Sequence, residues 1–124
     1  MAKVSLLIDT DVFVDYFNIG RFHALFDPAR FIVYYSAVTK KELLTKPGLR
    51  DSERNAIVAI LDQCRIVPLS QSIAKRYAEL RYCYPSLEKA DALIAATALT
   101  KQLPLLTRNK RHFRIVRGLD LLEG

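Results

Sequence analysis

Hydrophobic and polar positions divide this chain into short blocks, each of about the length of one strand or one helix. The run Val4–Ile8 is strand-length and too uniformly apolar for a half-exposed strand, which predicts a strand buried on both faces. The β-branched and aromatic run Phe31–Tyr35 predicts a second strand. Briefer extended segments are expected at Arg65–Pro68 and Leu103–Thr107, and a last short strand within IVRGLDLL near the C-terminus.

Helical periodicity occupies the intervals between these strands. Asp9 or Asp11 can cap a short helix that follows the first strand. The segment SAVTKKELLTKPG predicts a helix that ends at Pro47-Gly48. Three more helices are expected, and their predicted caps are Asp51, Ser70 and Ser86, the last helix running to about Gln102.

Strands that alternate with helices predict an α/β fold, with a central parallel sheet between two layers of helices. Ligands of such folds bind at the carboxyl ends of the strands, where Asp9 and the segment after Thr107 are expected to lie. Residues 1–124 contain no repeat or linker and have the length of one domain.

Composition narrows the class of protein. With 51% hydrophobic and 26% charged residues, the chain is typical of globular proteins and unlike a disordered one. Cys64 and Cys83 have neither CxxC nor metal-ligand spacing, which favours reduced thiols and a cytoplasmic location. No apolar run approaches the ~18 residues of a membrane span. The net charge of +6 favours polyanionic partners, such as nucleic acid or acidic protein segments.

Three carboxylates stand in strongly apolar contexts: Asp9, Glu42 and Asp91. The helical neighbours of Asp91 at i+4 and i+7 are Ala95 and Ala98, so this carboxylate can lie close against a sheet. Buried acids that face one another repel, and a hard cation such as Mg²⁺ or Mn²⁺ relieves the repulsion. Each acid also has a simpler explanation, as a helix cap, a solvated helix residue or a partner of the helix dipole. Asp11 and Asp15 are expected to be capping or surface groups.

Four segments in order resemble the motifs of the PIN-domain ribonucleases, and among them the VapC-type toxins of toxin–antitoxin pairs. They are LLIDTDVFVDYF with Asp9, SAVTKKELL with Glu42, ADALIAATAL with Asp91, and LLTRNKRHF. The resemblance covers nearly the whole chain. Two positions depart from the pattern: Asp11 stands where Asn or Ser is frequent, and His112 where many relatives carry an acid. The roles of both residues stay open.

The resemblance implies a Mg²⁺- or Mn²⁺-dependent endoribonuclease that hydrolyses RNA phosphodiester bonds, the toxin of a type II toxin–antitoxin system. Asp9 and Asp91 would hold the metal directly, and Glu42 would ligate it, directly or through water, or orient the attacking water. Asn109 would orient the attacking water or the scissile phosphate. Thr10 and Thr107 would tie the motif backbones together through their hydroxyls.

The resemblance also implies partners. The basic turn TRNKRHFRIVR begins within the fourth motif and extends beyond it, and Arg108, Lys110 and Arg111 are candidate contacts to RNA phosphates. A cognate antitoxin and a homodimer are expected. The aromatic residues Tyr16, Phe17, Phe22 and Phe26 are expected to be mostly core, with a smaller part in an antitoxin groove or a dimer face.

Other functions fit parts of the pattern. One is a housekeeping RNA-processing nuclease with the same site. Another is a degenerate domain that binds RNA or protein without cleavage, which the lack of an acid in the fourth motif favours. A receiver-like signalling domain is disfavoured because the strand Phe31–Tyr35 ends without an aspartate.

Overall fold

A computed structural model describes residues 2–122 of the chain. Four strands form one parallel sheet in the order β3-β2-β1-β4. The strands are β1 (Val4–Ile8), β2 (Phe31–Ser36), β3 (Arg65–Val67) and β4 (Leu105–Leu106). The inner strand β1 is buried as predicted, since none of Leu6, Leu7 and Ile8 is more than 1% exposed.

Helices cover both faces of the sheet. They are α1 (Thr10–Ile19), α2 (Ala37–Leu44), α3 (Asp51–Leu61), α4 (Gln71–Cys83), α5 (Lys89–Lys101) and α6 (Lys110–Phe113). Successive residues of β1 point to opposite faces. Leu7 packs in one hydrophobic cluster with Ile94 of α5, whereas Leu6 packs in another with Phe13 of α1. The predicted three-layer α/β/α arrangement is therefore confirmed.

Two predicted caps are confirmed. The Asp9 carboxylate accepts a hydrogen bond from the Thr10 amide at the start of α1, and the Ser70 hydroxyl accepts one from the Ile73 amide at the start of α4. Ser36, which opens the segment predicted to be helical, is the last residue of β2 and the cap of α2. The end of β1 is therefore the start of α1, and the end of β2 is the start of α2. Both strand-to-helix junctions lie at the carboxyl edge of the sheet.

Two predicted caps are wrong. Arg50 is the residue that precedes α3, and Asp51 is its first helical residue. At α5 the cap is Glu88 rather than Ser86. Here the Leu87 amide bonds to the Tyr84 carbonyl in a turn, so the chain is not yet helical at Ser86.

The C-terminal third has less strand than predicted. Only Leu105–Leu106 of the expected strand at 103–107 pairs with β1, because the Leu103 amide still bonds to the Ala98 carbonyl at the end of α5. The strand expected within IVRGLDLL is reduced to a single parallel bridge between Leu105 and Leu121. The basic turn contains the one-turn helix α6, which the sequence pattern did not reveal.

The aromatic stretch after β1 is mostly packed. A 3₁₀ turn at His23–Phe26 carries Phe26 against Tyr16, with ring centroids 4.5 Å apart, and against Phe13 at 5.9 Å. Within residues 2–122, no helix has the length and apolar character needed to cross a lipid bilayer.

Candidate active site

Asp9 is the buried carboxylate at the carboxyl end of the inner strand. It is 4% exposed. Its Oδ1 accepts the Thr10 amide at 2.7 Å, and its Oδ2 accepts the Thr107 hydroxyl at 2.8 Å. Because Thr107 directly follows β4, this second bond joins the first and fourth sequence motifs. The predicted role of Thr107 as a tie between motifs is confirmed.

Glu42 reaches the same edge from α2. The Thr10 hydroxyl donates to Glu42 Oε1 at 2.8 Å and lies 2.9 Å from the hydroxyl of the buried Thr39. The register of β2 beside β1 and the Ser36 cap set the start of α2, and Glu42 follows on the exposed side of that helix. Thr10 therefore ties the first motif to the second, as predicted.

Asp91 lies in the first turn of α5, and its surroundings match the expectation. Ala95 and Ala98 are buried at no more than 1% exposure, so the helix lies close to the sheet. Asp91 Oδ2 is 3.3 Å from Nδ1 of His112 on α6. The neighbouring Asn109 is held by its amide, which donates to the Thr107 hydroxyl at 3.0 Å.

The acids at this edge lie close enough to repel one another. Burial, and next the charge of Asp11, raise the pKa of Asp9 to about 7, and Asp91 adds to the shift against the hydrogen bonds from Thr107 and Thr10. Burial also raises the pKa of Asp91, as do the charges of Glu88 and Glu42. Asp91 is thus electrostatically coupled both to Asp9 and to Glu42, which is a repulsion that a cation would relieve.

Asp11 has a buried carboxylate oxygen that no hydrogen-bond donor within residues 2–122 compensates. Its Oδ1 accepts the Arg108 amide at 3.3 Å, whereas its Oδ2 is buried and has no hydrogen-bond partner among the described residues. Burial is the main cause of a raised pKa of Asp11. A buried carboxylate oxygen without a donor is costly unless it is protonated or faces a cation.

The donor set fits a hydrated divalent ion better than a closed cage. Among residues 2–122, no group of three or more histidine, cysteine or acidic side chains is arranged so that it could hold a metal ion by itself. The oxygens present are carboxylates, which Mg²⁺ prefers. Mg²⁺ usually keeps several waters and takes only one or two protein carboxylates. The residues therefore fit Mg²⁺ or Mn²⁺ bound partly through water.

Asp15 is buried, so the prediction that it is a surface or capping group is wrong. It is 8% exposed, and its Oδ1 accepts Nη1 of Arg108 at 2.8 Å, while Nη1 of Arg21 lies 3.6 Å from its Oδ2. A signal was present, because Asp15 stands three residues after Val12 and so shares the buried face of α1. The candidate RNA contact Arg108 is therefore paired within the protein.

Two cavities flank the acids. A groove of about 670 Å³ runs from Thr10 and Glu42 between α1, α2 and α3, and its apolar lining includes Phe17 and Leu43. A smaller cavity of about 300 Å³ lies beside Asp91, where Arg111 and His112 form part of the wall. The predicted cation Arg111 thus lies next to the acidic edge.

Comparison with known proteins identifies the family. The PIN-domain profile matches residues 6–119. Ribonuclease VapC1 of Methanocaldococcus jannaschii is 30% identical over 122 residues, which cover 94% of this chain and 85% of the relative. The chain belongs to the PIN-domain family, among its VapC-type members.

Solved structures agree with this assignment. The PIN domain is similar to a chain of a toxin–antitoxin complex from Klebsiella pneumoniae at 30% identity and a TM-score of 0.76, over 92% of this chain and 94% of that one. It also has the fold of a chain of VapBC2 from Rickettsia felis bound to a promoter DNA fragment, with a TM-score of 0.84 at 19% identity and coverage of 96% and 98%. The resemblance read from the four motifs is confirmed.

Proposed function

We propose that this PIN domain is a Mg²⁺- or Mn²⁺-dependent endoribonuclease and the toxin of a type II toxin–antitoxin pair. The observation that carries the proposal is that Asp9, Glu42 and Asp91 come from three separate elements to one edge of the sheet, where Asp91 is electrostatically coupled to the other two. The similarity to a ribonuclease of the VapC type over 94% of the chain supports the reaction class.

The position of each site residue suggests a separate role in the reaction. Asp9 and Asp91 would hold the ion, with Asp9 oriented by the hydroxyl of Thr107. When bound, a divalent ion lowers the pKa of a water molecule and stabilises negative charge on a phosphate. Glu42, oriented by Thr10, would accept a proton from or align the attacking water. Asn109 would hold that water or the scissile phosphate by hydrogen bonding.

RNA would approach along the basic segment after β4. Lys110 and Arg111 begin α6 beside the cavity at Asp91, so their charges can contact phosphates that flank the cleaved bond. Contacts of this kind position RNA without reading its sequence. Arg108 contributes less directly, because its guanidinium is bonded to Asp15.

An antitoxin segment would occupy the groove between α1, α2 and α3. The groove begins at Thr10 and Glu42, so an apolar segment that fills it also covers the acidic edge. Solved toxin–antitoxin complexes with this fold support such a partner. We further expect a homodimer in the cytoplasm; Cys64 and Cys83 are free thiols, as a reducing compartment requires.

Cleavage of RNA by the purified chain tests the proposal. We expect a single-stranded RNA to be cut in Mg²⁺ or Mn²⁺, and cutting to stop with excess EDTA or in Asp9→Asn. Asp120→Asn, which removes an exposed acid, serves as the control and should cut normally.

The outcomes separate the alternatives. An RNA that binds but stays intact under all metal conditions would contradict the nuclease and support a non-catalytic binding domain. Metal-dependent cutting without growth arrest on expression would support a housekeeping nuclease. Growth arrest that a co-expressed small protein relieves would support the toxin.

A further inference from the structure

The loop Thr107–Asn109 is hydrogen-bonded to α1 and its cap at three points. The Thr107 hydroxyl donates to Asp9 Oδ2 at 2.8 Å. The Arg108 amide donates to Asp11 Oδ1 at 3.3 Å, and the Arg108 guanidinium donates to Asp15 Oδ1 at 2.8 Å. Because Asp9 caps α1 and Asp15 lies within it, one rigid helix carries both the site carboxylate and the anchor of the loop that meets it.

The anchor is the ion pair between Asp15 and Arg108, and it forms because a buried carboxylate needs a cationic partner. The side chain of Asp15 is 11% exposed, whereas that of Arg108 is 48% exposed. An unpaired carboxylate at this depth would be costly, and Arg108 is the nearer of its two cationic partners. The pair joins positions 93 residues apart in the chain, so it fixes the loop after β4 against α1 at the site.

We propose that Asp15 is a positioning residue of the nuclease site: through Arg108 it holds the loop so that the Thr107 hydroxyl stays on Asp9 and Asn109 stays beside it. This inference rests on the proposed function. It also assigns Arg108 to the internal geometry of the site, and not primarily to RNA binding. Groups that orient a ligand of a metal commonly matter 10- to 100-fold for metal affinity or activity.

Single and double variants test the pair. Asp15→Asn keeps the shape of the side chain and removes its charge, and Arg108→Gln removes the partner. We expect each to lower kcat at saturating RNA by about 10- to 100-fold, with KM changed far less, as a small misplacement of reacting groups does. The double variant should be no worse than either single variant, because both act through one contact. Arg21→Gln, at the more distant partner of Asp15, is the matched control and should keep its kcat.

Binding of Mn²⁺ without RNA separates positioning from simple charge. If Arg108 acted only as a charge, Arg108→Gln would remove a cation near the acids and strengthen Mn²⁺ binding, while Asp15→Asn would weaken it. Positioning predicts weaker Mn²⁺ binding in both variants, measured by electron paramagnetic resonance or calorimetry. Opposite signs would overturn the inference.

The remaining outcomes are also decisive. A larger KM for Arg108→Gln with unchanged kcat, together with a flatter salt dependence, would show that Arg108 contacts RNA instead. If Asp15→Asn fails to fold by circular dichroism, Arg108→Gln decides alone, because its side chain is half exposed. Wild-type cleavage and Mn²⁺ binding with normal variants would refute only this inference, whereas a wild type that neither cuts RNA nor binds Mn²⁺ would refute the proposed function.

Discussion

At the scale of single residues, Asp91 separates a catalytic role from a structural one. It lies in the first turn of α5, where the helix dipole favours a negative charge, yet burial and the charges of Glu88 and Glu42 raise its pKa. The two effects predict opposite results for Asp91→Asn. We expect loss of metal-dependent RNA cleavage with a free energy of unfolding that is unchanged or higher, because one member of a repelling group is gone.

The control for this prediction is Glu88→Gln, which removes an exposed acid at the preceding cap of the same helix. It should retain cleavage. Chemical denaturation and a cleavage assay on both variants are sufficient. If purified Asp91→Asn unfolded more easily by about 0.3–1 kcal/mol and still cut RNA, Asp91 would be only a partner of the helix dipole.

The positions of some site residues could be predicted from the sequence, whereas the partners of others could not. Asp9 could be placed at the carboxyl edge because it follows a buried strand, and parallel strands end at the same edge. Glu42 and Asp91 lie within helices, so only their apolar contexts and the four motifs linked them to Asp9. Asp15 could not be assigned its partner, because Arg108 is 93 positions away and no local pattern links them. The sequence left the role of His112 open, and the structure places its Nδ1 3.3 Å from Asp91 Oδ2, so His112 is a neighbour of that carboxylate.

At the scale of elements, α6 carries the charges expected to meet RNA. Lys110→Gln with Arg111→Gln should weaken RNA binding and reduce the slope of log affinity against log salt by up to about 1.4, at about 0.7 per lost contact to a single strand. Folding should survive, since Arg111 is exposed. Filter binding or fluorescence anisotropy at several salt concentrations measures the slope.

A double variant of equal charge provides the comparison. Lys75→Gln with Lys101→Gln removes two cations from α4 and from the end of α5 opposite Asp91. Since α5 has 13 residues, its two ends are roughly 18 Å apart. Equal slopes for the two double variants would mean that net charge, and not α6, governs RNA binding.

Elements with strong local signals were predictable and short ones were not. Ser70 caps its helix as predicted, because a serine stands directly before a helical pattern. Ser86 is not the cap that was predicted for α5, because the segment from Tyr84 to Leu87 forms a hydrogen-bonded turn before the helix begins. Helix α6 has four residues, too few for any periodic pattern to reveal.

At the scale of the whole molecule, buried acids without a cation should make stability fall as pH rises. Asp9 has a pKa of about 7 in the folded protein and 3.8 as its ordinary value. Between these two pH values the Asp9 carboxyl keeps its proton in the folded state and has lost it in the unfolded state. The contribution of this proton to the free energy of unfolding is therefore complete below about pH 4 and is lost as pH rises through about 7. The raised pKa values of Asp11 and Asp91 act in the same direction.

Asp9→Asn isolates this effect, because the amide cannot ionise. In EDTA, we expect wild type and Asp9→Asn to have similar free energies of unfolding near pH 4, and wild type to be the less stable at pH 8 by up to about 4 kcal/mol, at about 1.4 kcal/mol per pKa unit. Adding Mn²⁺ at pH 8 should stabilise wild type and leave Asp9→Asn unchanged, since an ion that binds only the folded state adds stability by mass action. Urea denaturation at the two pH values measures both effects. A wild-type-to-variant difference that is the same at pH 4 and pH 8 would show that the acids at this edge do not compete for a proton or a cation.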